Sequence, residues 1–266
     1  MIGVELRKQV WRVRTYLALG LMVAIPVITT VAFKLSGGPK GERQADFFNL
    51  AAHSGLNMPL ASLASMSSFL LPVVVVLFAG SAIAEEASWG SLRYLLVRPV
   101  SRGRLLANKL AVVAILGLAA TFLITAAGLA SGIPAFGWHP VVTPSLTTLS
   151  QWQAFSRLVV STFYVAWSMT GVLAFAFMLS TMTDAALGAV SGGIGLTIVS
   201  EILDAIPALK TSRNFFVTHY WHAWDGLFQH PVATGEIIRG VLLQVPYVVA
   251  FLVIAWWWFH RKDIVS

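Results

Sequence analysis

The chain contains no cysteine, which excludes disulfides, thiolate metal sites and a cysteine nucleophile, and leaves the redox compartment unread. Charge is scarce too: Asp, Glu, Lys and Arg make up 11% of the 266 residues, against roughly 25% in soluble domains. No N-x-S/T site occurs, and neither low-complexity segments nor repeats with a period of about 20–50 residues are visible. The phosphate-cradling pattern G-x-x-x-x-G-K-[ST] is missing, so the chain has no ordinary means of binding ATP by itself.

What replaces charge is apolar. Hydrophobic residues form 57% of the sequence and the mean hydropathy is +0.78, the composition of an integral membrane protein. Six charge-free runs reach or approach the ~20 residues that cross about 30 Å of hydrocarbon. Trimmed at Gly, Pro and polar clusters, they predict an all-α membrane protein, one domain over 1–266, with spans at 16–34, 62–84, 109–130, 157–180, 185–206 and 240–259. The stretches HSGLNMPLAS from His53 and SGIPAFGWHPVVTPSLTTLSQWQ from Ser131 read as outer loops. The first apolar run is 19 residues long with no A-x-A site after it, so it is expected to remain as a span and not to be cleaved as a signal.

Orientation follows from where the cations fall. With both termini inside, inner segments hold Arg7, Lys8, Arg12, Arg14, Arg93, Arg98, Arg102, Arg104, Lys109, Arg261 and Lys262, 11 of the 18 basic residues, as the positive-inside rule requires. Topology therefore accounts for the net charge of +7, and nucleic acid is not an expected partner. Within residues 1–14, Ile2, Leu6, Val10 and Val13 oppose Arg7, Lys8, Arg12 and Arg14. That pattern fits a helix lying in the inner headgroup layer or a plain topological stop.

The segment AEEASWGSLRYLLVRPVSRGRLLANKL, from Ala84 to Leu110, is the most distinctive. Glu85 and Glu86 are too costly to hold in mid-bilayer and fix the inner end of span 2. Trp89, Leu92, Leu95, Leu96 and Val97 alternate with Arg93 and Arg98 in a short amphipathic helix, Pro99 ends it, and Ser101 is an N-cap for the helix of span 3. This order of glutamate, Gly90-Ser91-Leu92, Leu95-Leu96, Arg98-Pro99, Ser101-Arg102 and Leu105-x-x-x-Lys109 resembles the first cytoplasmic loop of type-two ATP-binding-cassette exporter permeases, the drug, antibiotic and polysaccharide export family. The resemblance implies that this loop is a coupling helix docking on an ATPase, with Glu85, Glu86, Gly90, Leu92, Arg93, Pro99, Ser101 and Arg102 forming or orienting the docking surface. It further implies two ATPase subunits carrying ATP and Mg, a second permease subunit, identical or paralogous, a membrane-lipid environment, and a multi-pass place in a bacterial plasma (inner) membrane. No cofactor is expected in the chain itself. Cargo is expected to be hydrophobic or amphipathic: a drug, an antibiotic or a lipid-like molecule. A non-transporting membrane scaffold or immunity protein is the alternative.

Between spans 5 and 6, Phe216, Tyr220, Trp221, Trp224 and Leu227 recur at intervals of three and four, predicting an amphipathic helix, interfacial or re-entrant. By resemblance to the family, Phe216, Tyr220, Trp221 and Trp224 are expected at the outer gate. Glu201 and Asp204 share a face near the outer end of span 5 and are candidates for the cargo path. His219, His222 and His230 lack the spacing and acidic partner of a zinc site, so no metal is expected; His219 and Asp225 read as wet, partly exposed residues. Gly188 and Gly192, with Gly193 and Gly195 beside them, make span 5 a close-packing helix at neighbouring spans or a subunit interface. No catalytic residues are expected. Glu85-Glu86 suits a prenyl-protein protease only with Arg four positions later, where Gly90 stands, and there is no G-x-S-x-G elbow.

Overall fold

The computed structural model describes residues 2–37, 46–88, 101–145 and 147–261. The chain is an all-α membrane protein: among these residues five helices are long and apolar enough to cross a bilayer, or six when one bent pair counts as a single span. In order they are α1 (Ile2–Val10), α2 (Val13–Ser36), α3 (Asn57–Ser67), α4 (Leu70–Gly80), α5 (Ala84–Ser88), α6 (Arg102–Phe136), α7 (Gln151–Ser168), α8 (Thr170–Met182), α9 (Ala186–Asp204) and α10 (Gly235–Arg261). A two-stranded antiparallel hairpin, β1 (Val141–Val142) and β2 (Thr148–Leu149), lies between α6 and α7. The outward faces of α2, α9 and α10 carry exposed Leu17, Ile28, Leu187, Ile202, Leu242 and Val249, as lipid-facing helices do.

Span 2 is not one helix. α3 and α4 meet at 58°, and α3 begins inside the stretch expected as an outer loop, with Leu56, Met58, Leu60 and Leu63 buried. Two local causes act at the bend. Pro72, in the first turn of α4, has no N–H to offer the Ser68 carbonyl. The Ser62, Ser65 and Ser68 hydroxyls bond back to the carbonyls of Met58, Ala61 and Ala64, a competition that bends helices. The span also stops at Gly80, short of 84, and turns through Ser81–Ile83 before α5. There the Ser180 hydroxyl accepts from the N–H groups of Ile83 and Ala84 at 2.9 and 3.0 Å, supplying donors at the helix start with a partner.

α6 runs past its expected end at 130 to Phe136. Its 35 residues reach about 52 Å, more than the apolar layer needs. The small residues taken as loop markers are packing positions instead. A Cβ on Gly132 would lie 2.7 Å from the Gly55 carbonyl oxygen, and one on Gly128 would lie 2.6 Å from Pro59 Cα, so α3 crosses α6 almost backbone to backbone. Gly128→Ala should therefore destabilise the detergent-solubilised protein by roughly 1–3 kcal/mol, since the neighbour is main chain and must move. Gly195→Ala, with nothing within 4 Å, should be neutral or slightly stabilising; equal melting shifts in the two variants would refute the packing account.

Span 5 matches α9 closely, but only part of its glycine pattern is used. Gly193 presses on Val76 and Gly192 on Leu179, whereas Gly188 meets nothing nearer than 3.8 Å. Span 4 breaks at Met169 into α7 and α8, and span 6 begins at Gly235, not 240. Between α9 and α10 there is no α-helix: the chain forms 3₁₀ turns at Pro207–Phe215 and Ala223–Phe228 joined by tight turns. The carbonyls of Phe215, Val217, Tyr220 and Leu227 are taken by side chains of neighbouring spans. These bonds fix the segment to its neighbours, and its backbone N–H groups bond at i−3 spacing, as Ala223 does to Tyr220 and Trp221 to Thr218.

Candidate functional site

The starts of α2 and α6, α5 and the end of α10 gather at one end of the bundle, together with a dense ion-pair cluster. Glu86 of α5 accepts from Lys8 at 2.6 Å and forms an ion pair with Lys109 at 2.7 Å; Lys109 also reaches Glu5 at 3.0 Å. Beside them Glu85 pairs with Arg14 at 2.5 Å and with Arg12. The Glu86 and Lys109 side chains are 1% and 2% exposed. Burial pushes the Glu86 carboxyl up, but Lys109 and Lys8 pull it further down, so its net shift is below the ordinary carboxylate value. Three helices that are distant in sequence are thus fastened through a central pair, Glu86 and Lys109, with almost no access to water.

Of the residues expected to form or orient a docking surface, Glu85, Glu86, Ser101 and Arg102 are described, and Gly90, Leu92, Arg93 and Pro99 lie outside the described residues. Ser101 caps α6, its hydroxyl accepting from the Arg104 N–H at 3.4 Å. Arg102 donates to the His260 carbonyl at 3.1 Å. Glu86 is too deeply buried to present itself to a partner in this arrangement; it holds the base of the segment that follows.

At the opposite end, residues 215–228 plug the bundle. Trp221 and Trp224 are 1% and 0% exposed, Tyr220 is buried and Phe216 half-buried, so the aromatic side chains turn into the protein and not toward a headgroup layer. Phe47, from the turn after span 1, stacks on Trp224 at 5.2 Å and meets Phe228 edge-on at 5.3 Å. The plug is fastened on three sides. From span 4, Arg157 donates to the Leu227 carbonyl at 2.5 Å and the Tyr164 hydroxyl to that of Tyr220 at 2.8 Å. From span 6, Gln244 donates to the Val217 carbonyl at 3.0 Å while its oxygen accepts from the Gly171 N–H at 3.2 Å. From span 5, Asp204 meets His219 at 2.5 Å and Arg213 at 3.4 Å, and Ser200 shares a hydrogen bond with Thr218.

The family described as "Protein of unknown function (DUF2705)" matches residues 40–265, most of the chain. The chain belongs to that DUF2705 family. A 50-residue stretch is 44% identical to the probable ABC transporter permease protein NosY of Stutzerimonas stutzeri, covering 19% of this chain and 18% of that protein. The chain therefore spans less than a fifth of that relative's length. The spans make the DUF2705 chain a multi-pass membrane protein, and its similarity to a probable permease is confined to that stretch.

In this DUF2705 member, two polar groups of the plug are half-buried. Asp225 is partly exposed, as expected, but its Oδ1 is buried without a hydrogen-bond partner, and burial pushes its carboxyl up to about 7. His222 is likewise enclosed. Its Nε2 lies 3.1 Å from the Ser68 hydroxyl at the bend of span 2, and burial lowers its pKa, so at neutral pH it is an uncharged hydrogen-bonding group. No group of three or more His, Asp or Glu suited to a metal occurs among the described residues. Asp204 fastens the plug through His219 and Arg213, and Glu201 lies one turn earlier beside Thr218.

Sequence reasoning missed Phe47, Arg157, Tyr164 and Gln244. Gln244 carried a legible signal, as a lone amide within an apolar span that must find partners. Gly240 is where Tyr164 packs, for a Cβ there would lie 2.0 Å from the Tyr164 hydroxyl.

Proposed function

We propose that this protein is the transmembrane permease subunit of an ATP-binding-cassette exporter, forming the substrate path and driven by ATP and Mg on separate ATPase subunits. The observation that carries the reading is the buried cluster. It clamps Glu85–Glu86 and Lys109, which flank the segment resembling an ATPase-docking loop, to the N-terminal helix, as a force-bearing joint requires. The short match to a probable permease supports it.

In this reading the cluster end faces the cytoplasm of a bacterial plasma (inner) membrane, and the loop between spans 2 and 3 couples the permease to the ATPase, with Leu92 and Arg93 at the contact. Two ATPases serve two permease subunits, identical or paralogous. The plug is the outer gate. Closure of the ATPases on ATP displaces α5, and α4 carries that displacement to the bend at Ser68, where His222 of the plug is bonded. Opening breaks the Asp204–His219 pair and frees a path along Glu201 for a hydrophobic or amphipathic cargo.

A tagged protein drawn from solubilised native membranes tests this, wild type beside a Leu92→Asp, Arg93→Glu variant, with ATPase activity assayed in the eluate. Wild type should retain an ATPase and the variant should lose at least about tenfold of it, since charge reversal at an interface core costs more than 1.4 kcal/mol. No ATPase with either protein would sink the exporter reading in favour of a scaffold. Retention by both would move the docking surface elsewhere.

A further inference from the structure

At the cluster end, a cavity of about 330 Å³ opens between the last turn of α8 and the last turns of α10, lined by Met182, Trp257, Trp258 and Arg261. We infer that this cavity is a binding site for one anionic phospholipid of the adjoining leaflet: Arg261 takes the headgroup phosphate, and the Met182 and indole walls take an acyl chain.

Depth comes first. Trp256, Trp257 and Trp258 end span 6 in succession, and Trp settles at the headgroup boundary, so the rim of the cavity stands at phosphate level and its floor among acyl chains. Shape comes second. The Trp257 and Trp258 rings are tilted at 52° with centroids 6.1 Å apart, leaving a cleft that Met182 closes from span 4. Its volume falls in the range of small-ligand sites, and a polarisable thioether beside two indoles suits a flexible alkyl chain.

Charge decides the headgroup. The Arg261 guanidinium lies 4.2 Å over the Trp257 ring, which orients its planar fork and leaves donors to share with phosphate. Among the described residues it makes no ion pair. A second guanidinium, Arg102, approaches the same turn and covers the His260 carbonyl, masking part of the negative end of the α10 dipole that would repel an anion. The acidic neighbour on the α8 side, Asp184, already has a partner of its own. A rim with this cation over an apolar cleft favours a net-anionic lipid over a zwitterionic one, whose ammonium would meet Arg261.

The full-length protein, stripped of lipid by prolonged detergent washing, should be offered phosphatidylglycerol or phosphatidylcholine of identical acyl chains, with retained lipid counted by native mass spectrometry. Glycerol phosphate is the headgroup-only arm. Wild type should hold one phosphatidylglycerol in preference to phosphatidylcholine and no glycerol phosphate. Arg261→Gln should lose roughly fivefold of that preference, the share of one cation at the headgroup, and Arg213→Gln, at the other end, should keep it. Should Arg261→Gln fail to fold, Met182→Trp fills the cleft and should abolish retention with the cation intact. Equal retention of the two lipids by wild type, or an undiminished preference in either cavity variant, would overturn the proposal. These outcomes do not depend on whether an ATPase co-purifies.

Discussion

Lys109→Met should destabilise the protein by about 3–5 kcal/mol, the usual result of stripping one partner from a buried ion pair. Its methylenes are accommodated by Met, so packing is nearly unchanged. The loss comes from Glu86, which at 1% exposure would be stripped of its buried cation. Lys8 is 42% exposed and holds the other carboxylate oxygen, and one half-wet ammonium does not offset the desolvation of a carboxylate in this place. Glu86→Gln should cost a similar amount by leaving Lys109 to Glu5 alone.

The double variant decides whether charge or packing is at stake. With Lys109→Met and Glu86→Gln together, Lys8 and Glu5 remain, both with access to water and free to pair, and no buried charge is left uncompensated. Its melting temperature in detergent should recover much of the ground lost by either single variant, a coupling of roughly 2 kcal/mol. Plain additivity of the two losses would show that the pair is not the joint described. The dependence on pH has a definite sign. Glu86 lies below its ordinary value of 4.5, so its contribution is complete above that pH and is lost as pH falls through the depressed folded-state value. In the proposed exporter the double variant should stay defective in ATPase coupling even where stability returns, because α5 and α6 are no longer tied through Glu86 and Lys109.

The apolar runs set the number of spans and their order, because burying an unpaired peptide group in lipid costs so much that long apolar stretches have few alternatives to helix. Boundaries failed where a residue type has two uses. Gly128 and Gly132 were expected near or beyond a helix end, yet serve as contact points for Pro59 and Gly55, and nothing local distinguishes a glycine that turns from one that packs. Pro72 and the serines before it did mark a break, but a continuous apolar run outweighed them. The region 207–230 shows the same ambiguity at a larger scale. Aromatic residues at intervals of three and four fit an amphipathic helix and equally well a 3₁₀ plug held by tertiary bonds, and only Tyr164, Arg157 and Gln244, far away in sequence, decide between them. Lys8 and Lys109 were read as topology signals and Glu5 was given no role, since the three are not visibly partners until the helices pack.

Opening of the plug should become easier as pH rises from 5 to 8, by tens of fold, and Asp225→Asn should remove that dependence. Exposed to water in an opened plug, the Asp225 carboxyl has its ordinary value of 3.8; enclosed in the closed one, it is pushed up to about 7. Closing therefore takes up a proton anywhere between those values. The closed plug is favoured in full below 3.8, loses stability as pH rises toward 7, and changes little above it. The three-unit difference corresponds to about 4 kcal/mol at most. Burial is the only cause of the shift. Neither Arg157, bonded two residues away at Leu227, nor the neutral His222 of the same turn offsets it, and the buried Oδ1 has no donor to sustain a charge. Because the chain lacks cysteine, a thiol placed at buried Ala223 reports plug opening without background, and one at exposed Gln229 corrects for the titration of the thiol itself. The labelling ratio of Ala223→Cys to Gln229→Cys by a water-soluble maleimide should climb with pH on the wild-type background. On the Asp225→Asn background it should be flat and low, the amide being neutral at every pH and content in a closed plug. A ratio that fails to rise between pH 5 and 8, or that rises equally in both backgrounds, would show that this carboxyl does not govern the plug.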